Sequence, residues 1–216
     1  MNQGLLIAFE GIDGAGLTTQ AARARENLEK RPYLGENIED HPIAFLTKEP
    51  TDGPVGGEIR EVLSKRLEVD PETLALMFAA DRRDHSDQEL RPMINDGKFV
   101  IVDRYYLSSL AYQGVEVGDI EWLKQINSKS LTPDLTILLD VSASEAKRRM
   151  ESDRLTTEIY ETEKQLQKVR ESYLEAAEAL AAEGEDIRKV DGEQSKDVVE
   201  RQVMRNIHQK IEEVSE

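Results

Sequence analysis

Short apolar runs alternate with longer amphipathic stretches from one end of the chain to the other. Leu5–Glu10, Ile43–Lys48, Lys98–Asp103, Leu135–Asp140 and Ile187–Val190 predict strands. Leu5–Glu10, Lys98–Asp103 and Leu135–Asp140 are nearly continuous in apolar residues, as strands covered on both faces are. Between the strands, helical patterns cover Thr18–Lys30, Glu58–Lys65, Glu72–Asp96, Leu107–Gln113, Glu121–Lys129, Ser144–Met150, Thr157–Glu183 and Ser195–Glu213. Asp70-Pro71 supplies a cap and a first-turn residue for the third of these. The breakers in Glu49-Pro50-Thr51-Asp52-Gly53-Pro54 mark a loop, and Pro32 to Asp40 reads as a polar connection. Strands followed in turn by helices predict an α/β fold: a parallel sheet with helices on both faces. No repeat, low-complexity tract or composition shift marks a second unit, so residues 1–216 read as one domain.

Composition narrows the chemistry. The 216 residues contain 28 Lys and Arg against 44 Asp and Glu, a net charge of −16. Such a chain is repelled by a phosphate backbone, which argues against binding a nucleic acid polymer. An anionic ligand must be held by local donors against the overall field. The acidity suits either ordinary solubility or a salty cytosol. With no cysteine there is no disulfide framework, thiolate zinc site or cysteine nucleophile. His41, His85 and His208 are too scattered to suggest a metal cluster. Apolar runs such as Leu5–Phe9 fall far short of the roughly 20 residues a membrane helix needs. Met1-Asn2-Gln3-Gly4 does not open a secretory signal, so no membrane association and a cytoplasmic location are expected.

The most informative segment is Gly11-Ile12-Asp13-Gly14-Ala15-Gly16-Leu17-Thr18-Thr19, between a predicted strand and a predicted helix. Its spacing matches the phosphate-binding pattern G-x-x-x-x-G-K-[ST] with one departure, Leu17 in place of lysine. The glycines let backbone N–H groups converge on phosphate oxygens, and the helix terminus adds its positive end. The Thr18 hydroxyl is placed to ligate Mg²⁺. None of these functions needs the lysine; what is missing is the ammonium that would touch the β- and γ-phosphates. A glycine turn alone also suits a plain strand–helix corner, and Asp13 inside it also suits a turn cap.

Further along come Lys48-Glu49-Pro50, Met77-Phe78-Ala79-Ala80-Asp81-Arg82-Arg83 and Asp103-Arg104-Tyr105-Tyr106-Leu107-Ser108-Ser109-Leu110-Ala111-Tyr112-Gln113-Gly114. Together with Phe9-Glu10-Gly11-Ile12-Asp13-Gly14-Ala15-Gly16, they resemble the thymidylate kinases, collinearly over nearly the whole chain. The resemblance implies a P-loop NTPase fold with a five-stranded parallel sheet and a mobile lid, here about residues 148–160. It implies ATP with Mg²⁺ as phosphoryl donor, dTMP as acceptor, and a homodimer.

The resemblance also implies site residues. Gly11 to Thr19 and Asp191, in the loop Val190-Asp191-Gly192, would hold ATP, and Thr18 with Asp103 would hold the metal. Glu49, Pro50 and Arg60 resemble the substrate-side loop. Phe78 would stack on thymine, and Tyr112 would lie beneath the deoxyribose. Arg104 would take the monophosphate; its guanidinium can donate two parallel hydrogen bonds. Arg82 lies four residues after Phe78, and Gln113 four after Ser109, so each pair can share a helix face and address one base. Asp13 would orient the acceptor phosphate or its metal. The turn carries no arginine, so positive charge must come from the lid, with Arg154 first and Arg149 next, beside Arg148. Lys48 stands where arginine is more usual. Leu17 leaves alternatives open: an active kinase, a slow one, a nucleotide-binding protein without turnover, or a kinase for another nucleotide.

Overall fold

The computed structural model describes residues 4–30, 43–152 and 162–215. Five strands are present: β1 Leu5–Glu10, β2 Ala44–Lys48, β3 Phe99–Asp103, β4 Leu135–Asp140 and β5 Ile187–Asp191. They form one parallel sheet in the order β2-β3-β1-β4-β5. Leu5, Ile7 and Phe9 on one face of β1 join the larger core cluster. Leu6 and Ala8 on the other face join a second cluster with Val100, Val102, Leu90 and Tyr105. Both faces of the sheet are therefore covered, which is why its strands read as continuous apolar runs.

The helices are α1 Leu17–Glu29, α2 Pro54–Leu63, α3 Pro71–His85, α4 Arg91–Asn95, α5 Tyr106–Val117, α6 Ile120–Asn127, α7 Ala143–Ser152, α8 Glu163–Ala182 and α9 Lys196–Ser215. Three departures from the pattern are instructive. Helix α2 begins at Pro54, inside the stretch read as loop. Proline has no N–H to leave unpaired in a first turn, so the apparent breaker is the opening residue. The predicted helix Glu72–Asp96 is α3 and α4 joined by a π-helical segment, Ser86–Leu90. Pro92 accounts for the widening, since it donates no hydrogen bond and its ring crowds the carbonyl four residues back. Helix α8 begins at Glu163, whereas the pattern started it at Thr157. Thr162 caps it, exchanging hydrogen bonds with Gln165 in a capping box. Asp70 caps α3 as expected, accepting from the Thr73 N–H at 2.7 Å.

All five strands point the same way, so their carboxyl ends form one rim. The rim residues are Lys48, Asp103, Glu10, Asp140 and Asp191, every one ionisable. Lys48 pairs in register with Asp103, and Asp103 with Phe9. Ligands of open parallel sheets bind beyond such a rim.

Candidate active site

A cleft of about 1030 Å³ opens at this rim. One wall is the glycine turn from Ile12 to Thr19, and the opposite walls are α7 and the loop Gly192–Lys196. Two glycines make the turn. Gly16, at φ 94°, is the left-handed residue from which α1 starts without a side-chain cap. Gly14, at φ 80°, lies so close to α7 that a Cβ would sit 2.5 Å from the Ala146 carbonyl oxygen. The first N–H groups of α1 have no intrahelical partners and face the cleft as anion donors. Leu17 is buried and belongs to the core cluster.

The cleft is charged but balanced. Its basic residues are Lys48, Arg104, Arg148, Arg149 and Lys196, matched by Asp13, Glu49, Asp103, Glu145 and Glu193. Against a net charge of −16, local neutrality is what an anionic ligand requires. Thr18 Oγ1 donates to Asp103 Oδ2 at 2.6 Å, bringing together the two expected metal ligands.

Arg104 stands between the glycine turn and helix α5. Its N–H donates to the Phe9 carbonyl at 2.9 Å, and its backbone is left-handed, φ 69°. A non-glycine residue held there costs about 1–3 kcal/mol, so the surroundings must fix it. They do: NH1 donates to the Gly11 carbonyl at 2.9 Å and to the Tyr173 hydroxyl at 3.1 Å, and NH2 pairs with Asp13. The guanidinium lies 5.4 Å from the centroid of the Tyr112 ring. Burial works against its charge, but Tyr112, Asp13, Tyr173 and Glu10 keep its pKa above the ordinary arginine value. The Tyr112 hydroxyl also accepts the Asp13 N–H at 3.1 Å, and its ring meets Tyr173 edge-on.

Beneath Arg104 lies Glu10, fully buried. It accepts from the Tyr105 N–H at 2.9 Å, the Ser108 N–H at 3.2 Å, the Ser108 hydroxyl at 2.5 Å and the Tyr173 hydroxyl at 3.3 Å. Burial pushes its carboxyl up to about 7 despite these donors.

The residues expected at the base form a second group, outside the wall of the large cleft. Phe78 on α3 and Tyr112 on α5 are half-buried; Arg82, Ser109 and Gln113 are buried. Arg82 is committed to internal partners: Nε donates to Glu49 Oε2 at 2.7 Å, NH1 to Ser109 Oγ at 3.2 Å and to Asn127 Oδ1, NH2 to the Tyr105 carbonyl at 3.3 Å. Arg60 braces the substrate-side loop, donating to the Pro50 and Thr51 carbonyls. Asp81 accepts from both the N–H and the hydroxyl of Thr51.

The remaining expected residues divide. Arg149 donates to Glu145 at 2.7 Å, to the Gly192 carbonyl at 2.8 Å and to the Ala15 carbonyl at 3.4 Å, bridging the glycine turn and the β5 loop. Hydrogen bonds from Arg148 and then Arg149 hold Glu145 down near 2. Asp191 turns into its own loop, accepting from the Glu193 N–H and the Gln194 side chain, and it is Gly192 to Lys196 that meet the cleft. The predicted lid divides too: residues 148–152 are the last turns of α7, while Arg154 and the rest of the segment to residue 160 lie outside the described residues. Sequence reasoning missed Glu10, Tyr173, Lys196, Asn127 and His85. Of these, Glu10 carried a signal: a carboxylate ending an otherwise wholly apolar strand.

A strand–glycine turn–helix unit, with a hydroxyl and a carboxylate at its mouth, defines a P-loop nucleotide-binding protein. The thymidylate kinase family model matches residues 9–203. A relative named "Probable thymidylate kinase" from Pyrococcus horikoshii is 41% identical over 181 residues, 82% of this chain and 84% of its own length. Another of that name, from Thermococcus gammatolerans, is 37% identical over 216 residues, 96% and 98% of the two chains. A third, from Methanocaldococcus jannaschii, is 40% identical over 181 residues, 82% and 84%. The chain belongs to the thymidylate kinase family. No helix among the described residues is long and apolar enough to cross a membrane.

Proposed function

We propose that this protein transfers the γ-phosphoryl group of ATP to dTMP, giving dTDP and ADP. The observation that carries the reading is Arg104, fixed at the junction between the glycine turn and the base-side residues. Phosphoryl transfer needs alignment and charge neutralisation more than covalent chemistry, and this guanidinium supplies both to the acceptor phosphate. The turn from Gly11 to Thr19 holds the triphosphate, with Asp191 and the loop after it on the nucleoside side. Phe78, Arg82, Ser109, Tyr112 and Gln113 hold the thymidine moiety, while Glu49, Pro50 and Arg60 form the loop beside it. Asp13 fixes Arg104 and faces the acceptor phosphate.

The donor set fits Mg²⁺: two hard oxygens, from Thr18 and Asp103, leave the other positions to water and phosphate. The ion, when bound, neutralises charge on the β- and γ-phosphate oxygens. A lid over about residues 148–160 closes, excludes water and brings arginine to the transferring group, with Arg154 first and Arg149 next. The same reading includes a cytoplasmic homodimer. Exposed Leu63, Leu67 and Leu76, on α2, the loop after it and α3, support a covered face there.

Release of ADP with dTMP, dUMP, UMP, CMP and thymidine tests the reading. The expected result is a clear preference for dTMP; a preference for thymidine would remove the monophosphate assignment. Leu17 in place of the lysine sets the reading to test against, nucleotide binding without turnover. In the same assay Leu17→Lys should raise kcat about a hundredfold, the scale of one preorganised donor worth roughly 3 kcal/mol. ATP binding with no product from the unaltered chain, and product from Leu17→Lys, would establish the second reading.

A further inference from the structure

His85 has no part in the phosphoryl transfer described above, yet it is among the most buried polar residues of the protein, 2% exposed. It ends α3, and the π-helical segment begins with the next residue. The widened turn lets two consecutive residues, His85 and Ser86, both face inward. The ring is held at both nitrogens. Nδ1 lies 3.1 Å from Glu49 Oε1, and Nε2 lies 2.9 Å from Thr47 Oγ1. A carboxylate only accepts, so Nδ1 carries a proton, and Nε2 shares a second hydrogen bond with the Thr47 hydroxyl. Glu89 comes within 3.8 Å of Nε2. The other oxygen of Glu49 takes Arg82 Nε at 2.7 Å.

A relay therefore runs from strand β2 through Thr47, His85 and Glu49 to the guanidinium of Arg82. Arg82 is 1% exposed and Glu49 6% exposed, so neither can reorient without breaking it. We propose that His85 is a positioning residue: by holding Glu49 it fixes the plane of Arg82 and the loop that starts at Glu49, and so sets the affinity of the thymine pocket. This rests on the dTMP reading of the site. The hydrogen bonds of the relay run among β2, the loop at Glu49 and α3 and not to the glycine turn, so its loss should act on dTMP and spare ATP.

The test compares His85→Leu, His85→Asn and His85→Gln by steady-state kinetics, with dTMP binding measured by calorimetry. Asn places its amide where Nδ1 stands and keeps the bond to Glu49; Gln reaches toward Thr47 instead. The expected result for His85→Leu is a rise in the KM and Kd for dTMP of about tenfold, the scale of one hydrogen bond to a charged group. The KM for ATP and kcat should stay within about twofold on the same argument. Asn should restore the dTMP values, and Gln should not. Equal changes for both substrates, an indifferent His85→Leu, or rescue by Gln in place of Asn would overturn the proposal. Should His85→Leu fail to fold, the Asn and Gln pair decides alone. Absence of dTMP binding by the unaltered chain would instead sink the reading of the site, so the two failures are distinct.

Discussion

The glycine-turn cleft and the base-side group beside it are built by different means. On the triphosphate side the contacts come from main chain: a turn with two left-handed glycines, an uncapped helix start, and a hydroxyl paired with a carboxylate. Side-chain charge around it is balanced in sign, and the position of the usual ammonium belongs to a leucine in the core. On the base side almost everything is side chain, buried and mutually bonded: Arg82, Glu49, His85, Ser109 and Asn127. A main-chain cradle tolerates the loss of one side chain because its donors remain. A buried charged network does not, since removing one member strands the others without water. Arg104 joins the two, with its guanidinium on the cleft and its anchors in the core.

This contrast can be broken at its strongest point first. Arg104→Ala should lower kcat/KM for dTMP by about a thousandfold or more, roughly 4 kcal/mol of transition-state stabilisation. A loss under about tenfold, with circular dichroism showing an intact fold, would mean that Arg104 does not align the acceptor.

The next effect is on stability and depends on pH. Folded, Glu10 keeps its proton up to about pH 7; unfolded, it releases it near 4.5. Between those values the folded state binds more protons, so this residue's contribution falls as pH rises and levels off above about 7. The change amounts to at most about 3 kcal/mol. Urea unfolding at pH 5 and pH 8 should show a smaller decline for Glu10→Gln than for the unaltered chain; parallel declines would contradict the assignment.

The smallest expected effect probes the base side. Asn127→Ala removes the Oδ1 that accepts from Arg82 and should cost about 2 kcal/mol of stability. That corresponds to a fall in the melting midpoint of roughly 4–8 °C. An unchanged midpoint would show that the network tolerates losses as the cradle does.

The sequence made much of the fold legible for a plain reason. Fully covered strands are apolar without interruption, so β1, β3 and β4 stand out, and β1 and β4 coincide with their predicted bounds. The glycine turn was legible because its backbone conformation demands glycine at particular spacings. What stayed hidden depends on tertiary contact. Tyr173 reads as one apolar position on a long helix, and only the fold sets its hydroxyl between Arg104 and Ser108. His85 and Asn127 gave no local pattern, because their partners lie on other elements. The π-helical segment was invisible because helical spacing on either side of it is preserved within each piece. Arg82 was legible as a functional type, but not its commitment to four internal partners.

The widened turn after His85 has a bearing on how this protein can change. Each residue in a helix advances the side-chain direction by about 100°, so one residue too many puts the two ends of the run from Pro71 to Asn95 out of phase. Trimming a single residue between Ser86 and Leu90 would regularise the coil and swing one end against the other. Insertions and deletions there are closed to drift, whereas point replacements on the outer face stay open.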